Sequence, residues 1–133
     1  MNEGPLGSYE FSGERAATDD HPVVIRFLPL ASTVAAAVPA GTLLKEVAVL
    51  DEDDNETVVG TAYAPFDSTD DLDDGPPVAV VDVPCDPTGD NGDTTFTAVV
   101  HGTVKSRLLK TGDNEAPTEL QLTALAKAGV FPA

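Results

Sequence analysis

Basic residues are scarce in this sequence, and they are missing altogether from its middle. Seven Lys and Arg stand against 23 Asp and Glu, 15 of them Asp, so the formal net charge is −16. No Lys or Arg lies between Glu46 and Lys105. Phosphate groups are bound mainly by Lys and Arg, so we expect no nucleic-acid partner, and anionic membrane surfaces are excluded for the same reason.

Cysteine is nearly absent from the sequence, and tryptophan is absent. Cys85 is the only cysteine, so no internal disulfide can form, and its neighbours Pro84 and Pro87 predict a half-buried thiol in a turn, not a reactive nucleophile. With no Trp, two Tyr and five Phe in 133 residues, the core of this one domain must be thin and aliphatic. Association with other chains would stabilise such a core.

Targeting and membrane-spanning segments are not predicted either. Met1 is followed by Asn, Glu and Gly, not by a basic region and an apolar run, so the sequence predicts no secretory signal peptide. No uncharged apolar stretch reaches the ~18 residues that a transmembrane helix needs.

Catalytic and metal-binding motifs are also lacking. Asp51, Asp53 and Asn55 match the first ligands of a calcium-binding loop, but Glu56 stands where a glycine is needed and Ala62 where a bidentate Glu belongs. Neither of the two His residues has a second His or Cys at ligand spacing. We therefore predict no enzyme activity, no metal and no cofactor.

The acidic composition itself has two interpretations. A charged surface keeps a protein soluble, and this is the general interpretation. Richness in Asp with few Lys and many Ala, Val and Thr also resembles proteins of salt-loving archaea and their viruses. At molar salt the Debye length falls to ~3 Å, so neighbouring carboxylates repel each other little.

The strongest strand signal lies at residues 94–110, TTFTAVVHGTVKSRLLK. Phe96, Ala98, Val100, Gly102 and Val104 fall on one apolar face, and the opposite face is mixed, so we expect a sheet that packs on a core from one side. The glycine within this run indicates a bulge or a close backbone approach. Shorter strands are predicted at residues 23–28, 42–50, 57–63 and 78–83.

One helix is predicted near the end of the chain, at residues 117–128. Thr118 and Gln121 have the spacing of a capping box, Leu122 and Leu125 belong to an apolar stripe, and Gly129 is the expected stop. Val130 and Phe131, which follow, are expected to fold back on its last turn. Residues 30–39 remain open between a helix of at most two turns and a loop or extended segment, because prolines bracket them.

The first 22 residues form an extended N-terminal arm in this interpretation, and residues 23–133 form the domain. Gly, Ser, Pro and acidic residues dominate the arm, so alone it should be disordered. Tyr9 and Phe11 are spaced to share one face if the arm becomes a strand. The predicted fold class is α+β and mostly β: a small β-rich domain with a short C-terminal helix and this arm.

The order of these features resembles a known family. The chain contains GTLLKEVAVL at residues 41–50, VVGTAYAPFD at 58–67, VAVVDV at 78–83, VVHGTVKSRLL at 99–109 and ELQLTALAKAGVF at 119–131. Over residues 22–133 this pattern looks like the head decoration proteins of tailed viruses, the lambda protein D family. The long acidic insertions at residues 51–56 and 67–74 depart from the family pattern.

The resemblance implies a structural virion protein of the outer capsid surface, made in the host cytoplasm, here of a virus with a halophilic host. It implies a homotrimer that binds over major capsid protein subunits and stabilises the capsid, with the arm adding a strand to the capsid surface. The alternatives are a tail or fibre module that engages a cell surface, or a non-viral binding domain.

Candidate partner-binding residues, toward the capsid or within the trimer, come from three segments. They are Tyr9 and Phe11 in the arm, Val23, Val24, Ile25 and Phe27 in the first apolar run, and Lys105, Arg107 and Lys110 in a basic cluster. The basic cluster is either a solvated strand end or a contact to acidic residues of a partner subunit.

Overall fold

The computed structural model describes residues 14–18 and 22–133. Tyr9 and Phe11, two of the candidate partner-binding residues, lie outside the described residues, as does His21.

The regular structure of the described chain is mostly β, with one short helix near the C-terminus, and the predicted fold class is confirmed. The elements in chain order are β1 (Val24–Pro29), β2 (Leu43–Leu50), β3 (Val58–Pro65), β4 (Pro77–Val81), β5 (Thr95–Val104), a 3-10 turn (Ser106–Leu108), α1 (Glu119–Lys127) and β6 (Val130–Pro132). All five predicted strands are present with ends shifted by a few residues, and the run at residues 94–110 leaves the sheet after Val104.

The strands form one sheet in the order β1-β5-β4-β2-β3, and every neighbouring pair in this order is antiparallel. The last strand, β6, instead runs parallel to β5, where Val130 lies opposite Gly102 and Phe131 opposite Thr103. The expectation that Val130 and Phe131 fold back on the helix is met by Val130, which packs in one cluster with Leu125 of α1, whereas the Phe131 ring lies against His101 of β5. The backbone of this segment is hydrogen-bonded to β5: the Gly102 amide donates to the Gly129 carbonyl at 2.9 Å, and the Ala133 amide donates to the Val104 carbonyl at 2.8 Å.

The sheet curls around an interior cluster. Each of the five strands on the path contributes to it, through Leu28, Leu44, Tyr63, Ala79, Val81, Phe96 and Ala98. Although β1 and β3 are at opposite ends of the path, Leu30 bridges Tyr63, and the Ala31 amide donates to the Tyr63 carbonyl at 2.8 Å. Residues 31–38 form turns and an isolated bridge instead of a helix, and Val34 and Val38 pack at this cluster.

The outer face of the sheet is covered as well. Leu43, Val80 and Val99 belong to a second cluster with Leu125 of α1 and Val130 of β6, while their chain neighbours face the interior cluster. The expected packing from one side is therefore wrong, because both faces are buried at Leu43 and Leu44 of β2, along β4, and at Ala98 and Val99 of β5.

The alternation of β5 side chains between the two faces of the sheet is interrupted at a bulge. Val24 of β1 pairs with His101 and Ile25 pairs with Val99, so Val100 has no partner on β1. A bulge adds one residue and changes which face the later side chains take. This explains why Val104 packs in the outer cluster although Phe96 and Ala98 pack in the interior one.

The helix has the predicted capping box and stop. The Gln121 amide donates to the Thr118 hydroxyl, and the Thr118 amide donates to the Gln121 side chain. Gly129 follows the helix with φ +105°, a conformation that favours glycine. The helix lies on the outer face of the sheet, where Leu125 is fully buried and Leu122 packs beside it.

Candidate partner-binding surface

Residues 14–18, which the sequence assigns to the arm, are packed against the domain. Ala16 and Ala17 are buried in the outer cluster, and Ala17 forms a bridge with Val104 of β5. The Lys105 amide donates to the Ala16 carbonyl at 2.7 Å, and the Thr18 amide donates to the Thr103 carbonyl. The expected lack of structure therefore does not apply to this segment, which we call the anchor.

A buried carboxylate holds the anchor. Asp82 directly follows β4 and is 1% exposed. Its Oδ2 accepts hydrogen bonds from Nε and Nη2 of Arg15 at 3.0 and 2.7 Å, and its Oδ1 accepts one from the Ala17 amide at 2.9 Å. The Asp82 carbonyl also accepts from the Ala16 amide. A buried charge is tolerated only when it is paired and hydrogen-bonded, so the anchor and Asp82 depend on each other.

The basic cluster is divided between two places. Lys105 and Arg107 both donate to the Glu14 carboxylate at the start of the anchor, Lys105 at 2.8 Å. Hydrogen bonds from Arg107 first and Lys105 second lower the pKa of Glu14 from 4.5 to about 2. Two of the predicted partner contacts are thus engaged by an acid of the same chain, an arrangement that neither interpretation of the cluster foresaw.

Lys110 lies apart from the other two, along a groove of about 690 Å³. Its backbone bridges Thr42, and the groove is also lined by residues 33–39, Val47 and Ala64. Its side chain has no ion-pair partner among the residues that the structure describes.

The first apolar run is divided between core and surface. Val23 and Ile25 pack against the outer cluster, whereas Val24 is exposed and Phe27 is 73% exposed. Val24 pairs with His101, whose ring meets that of Phe131 edge-on at a centroid distance of 6.3 Å. Val24 of β1, His101 of β5 and Phe131 of β6 are therefore neighbours on the surface, and we call this partly apolar group the β5 patch.

A second apolar surface was not predicted from the sequence. It lies at the distal end of the β2–β3 hairpin, where Val49, Leu50, Val58 and Val59 are all exposed. The signal in the sequence was two adjoining apolar runs, VAVL and TVV, on either side of the acidic loop at residues 51–56. Strand pattern alone could not show that this part of the hairpin extends beyond the core.

The acidic loop at residues 66–75 is held by internal contacts. Lys45 Nζ lies 2.7 Å from Asp70 Oδ2, which also accepts from the Asp67 amide. Asp113 accepts from Ser68 and Thr111, and these hydrogen bonds lower the pKa of its carboxyl. Within residues 14–18 and 22–133 no group of three or more His, Cys, Asp or Glu side chains could hold a metal ion.

Cys85 is buried, and its thiol donates to the Thr95 carbonyl at 3.7 Å. Burial, reinforced by Asp93 and Asp86, raises its pKa from 9.0 to about 11. At neutral pH the group is therefore a thiol and not a nucleophilic thiolate. No described helix has the length and apolar character needed to cross a membrane.

Comparisons with known proteins yield no match. No protein-family model, no curated protein and no solved structure matches this chain.

Proposed function

We propose that this chain is a structural protein that decorates and stabilises a viral capsid. It binds the outer surface of the virion as a homotrimer over major capsid protein subunits, and its N-terminal residues add a strand to the capsid surface. The resemblance to the lambda protein D family supports this proposal, and so does the acidic composition, which fits a virus of a halophilic host.

The observation that carries the proposal is the anchor. The buried Asp82 carboxylate fixes Arg15 and Ala17, so residues 1–13 join the domain at a defined point, Glu14. These residues contain Tyr9 and Phe11 at strand spacing. In strand addition, main-chain hydrogen bonds supply affinity and alternate side chains supply specificity.

Trimer formation would strengthen such a contact. Once one arm of a trimer is bound, the other two arms bind at high effective concentration, so three weak strand additions combine into tight attachment. The β5 patch and Phe27 offer apolar surface for contacts between subunits, since contiguous exposed apolar surface often marks a protein–protein contact. No metal or cofactor has a part in this function.

Co-sedimentation with capsids tests the proposal. The purified chain would be mixed at high salt with expanded capsids that lack it, as the full chain and as a version without residues 1–13, which keeps the anchor intact. A full-chain variant with Tyr9→Ser and Phe11→Ser separates the role of side chains from that of chain length. Circular dichroism checks that each version is folded.

Saturable binding of the full chain, lost without residues 1–13, is the expected result. Binding that survives the deletion would keep the decoration role and move the main contact to the domain. Absence of binding by the folded full chain would overturn the proposal and favour the tail or fibre module.

A further inference from the structure

The distal end of the β2–β3 hairpin has the form of a docking element. Val49 lies opposite Gly60 and Leu50 lies opposite Val58, so Val59 is an extra residue in a bulge. Val58 and Val59, each 59% exposed, therefore lie opposite the single half-exposed Leu50. A two-stranded hairpin outside a core is only marginally stable in water, and apolar side chains on it are covered when a partner binds.

The tip of this hairpin is strongly acidic. Asp51, Glu52, Asp53, Asp54 and Glu56 bring five carboxylates to the loop that joins β2 to β3. Asp51 and Asp54 accept hydrogen bonds from the loop amides of Asp53 and Glu56, and Asp54 also accepts from Thr57. No hydrogen bond or ion pair in the described part of the chain engages the carboxylates of Glu52, Asp53 and Glu56.

These charges indicate what covers the hairpin. A second copy of the chain is a poor source of a basic rim, because four of its seven basic residues already form ion pairs with acids of the same chain: Arg15, Lys45, Lys105 and Arg107. The other three are Arg26 on β1, Lys110 beyond β5 and Lys127 on α1, so they are scattered over the domain. Charge complementarity therefore favours a different protein, one with Lys and Arg around an apolar depression.

We propose that the β2–β3 hairpin is a second docking element, which seats Leu50, Val58 and Val59 in an apolar, basic-rimmed depression of the capsid surface. This inference rests on the proposed function. The arm leaves the domain at the anchor, which lies on a different part of the sheet from the hairpin, so a subunit held through both the arm and the hairpin is fixed in orientation, which one attachment does not achieve. The free carboxylates of the tip pair with basic groups at contact range and so set the register, since salt screens their longer-range field.

Two sets of substitutions test the hairpin separately from the arm. The first, Leu50→Thr with Val58→Thr and Val59→Thr, removes apolar surface and keeps residues that suit strands. The second, Glu52→Gln with Asp53→Asn and Glu56→Gln, removes three charges and keeps the Asp51 and Asp54 hydrogen bonds of the loop. Matched controls are Leu120→Gln on the exposed side of α1, and Asp73→Asn with Asp74→Asn and Asp90→Asn in other loops.

The readouts are co-sedimentation with capsids that lack the protein and sedimentation velocity of the free protein. We expect the Thr variant to bind capsids at least about tenfold more weakly than the wild type, because the three substituted side chains bury less apolar surface against the capsid. We expect the charge variant to lose affinity chiefly at lower salt and to show a weaker dependence on salt. Both controls bind as the wild type does, and all variants keep the oligomeric state of the wild type.

Each contrary result has its own meaning. If the wild type binds and both hairpin variants bind equally well, the hairpin inference is overturned and the decoration role stands. Dissociation of the free oligomer by the Thr variant would show that a second copy covers the hairpin, which also overturns the inference. If the wild type does not bind, the proposed function fails and the inference fails with it.

Discussion

The Asp82 carboxylate lies 2.7 Å from Nη2 of Arg15, and it is the only acidic side chain that is buried within the described residues. All the other described acids of this chain are at least partly exposed, where water or salt can screen them. Asp82 instead depends on Arg15 and the Ala17 amide, so a contact across 67 positions in the sequence attaches the anchor to β4.

Replacement of Asp82 by Ala is expected to destabilise the domain and release the anchor. Breaking a buried pair costs about 3–5 kcal/mol, but Arg15 is 45% exposed, so we expect a loss of about 2 kcal/mol. Urea unfolding measures this loss, and hydrogen exchange at the Ala17 and Lys105 amides measures the release. Asp90→Ala, in an exposed turn, is the control; equal effects of both substitutions would show that Asp82 has no special role.

A methyl group at Gly102 is expected to destabilise the fold. Gly102 has φ +123°, and a Cβ there would lie 2.7 Å from Cγ1 of Val23. Strained backbone of this kind costs about 1–3 kcal/mol, so Gly102→Ala should lower the midpoint of denaturant unfolding clearly. Gly60→Ala is the matched control, since its nearest neighbour would be Cβ of Val49 at 4.0 Å and the change should stay within about 0.5 kcal/mol. If Gly102→Ala leaves the midpoint of denaturant unfolding unchanged, the close approach of Val23 is refuted.

The pKa of Glu14 provides a pH test of the anchor. It is lowered from 4.5 to about 2 in the folded protein, chiefly by Arg107. The contribution of this contact to stability is therefore complete above about pH 4.5 and is lost as the pH falls through about 2. We expect Arg107→Gln to move the Glu14 carboxyl titration, followed by NMR, upward toward 4.5. The control, Lys127→Gln on the helix, should leave the midpoint of the Glu14 titration unchanged. If Arg107→Gln also leaves this midpoint unchanged, the contact between Arg107 and Glu14 is excluded.

Cys85 is expected to resist thiol reagents in the folded protein. Its pKa is raised from 9.0 to about 11, mainly by burial. A shift of this size reduces the thiolate population at pH 8 by about 100-fold, before any steric protection is counted. Labelling with a disulfide reagent should therefore be at least that much slower in buffer than in urea. Comparable rates in the two conditions would mean that the thiol is accessible.

Salt is expected to raise the thermal stability of this chain. With a net charge of −16, exposed carboxylates repel one another, and the Debye length shrinks from ~10 Å at 0.1 M to ~3 Å at 1 M salt. Tm should therefore rise across this range of KCl. Asp73→Asn with Asp74→Asn and Asp90→Asn should reduce that rise, because fewer charges need screening. A Tm that falls with salt would contradict adaptation to brine.

Much of the fold could be predicted because its signals are local. Five strands followed from alternating or apolar runs, and the helix followed from the Thr118 and Gln121 spacing with Gly129 after it. Gly102 was expected to mark a bulge or a close approach; it is the site of the close approach, and the bulge lies at Val100. These features depend on residues a few positions apart, whose sterics and hydrogen bonds the sequence displays directly.

The sequence by itself determined the acidic surface, the strand segments and the capped helix, because composition and short-range pattern control them. Only the tertiary structure decided that both faces of the sheet are covered, that Val130 enters the sheet beside Gly102, and that Lys105 and Arg107 meet Glu14. It also decided that Val58 and Val59 stay exposed while Val80 and Val81 are buried. Residues of the same type differ in this way because burial depends on which distant segments pack over a strand, and no local pattern encodes those partners.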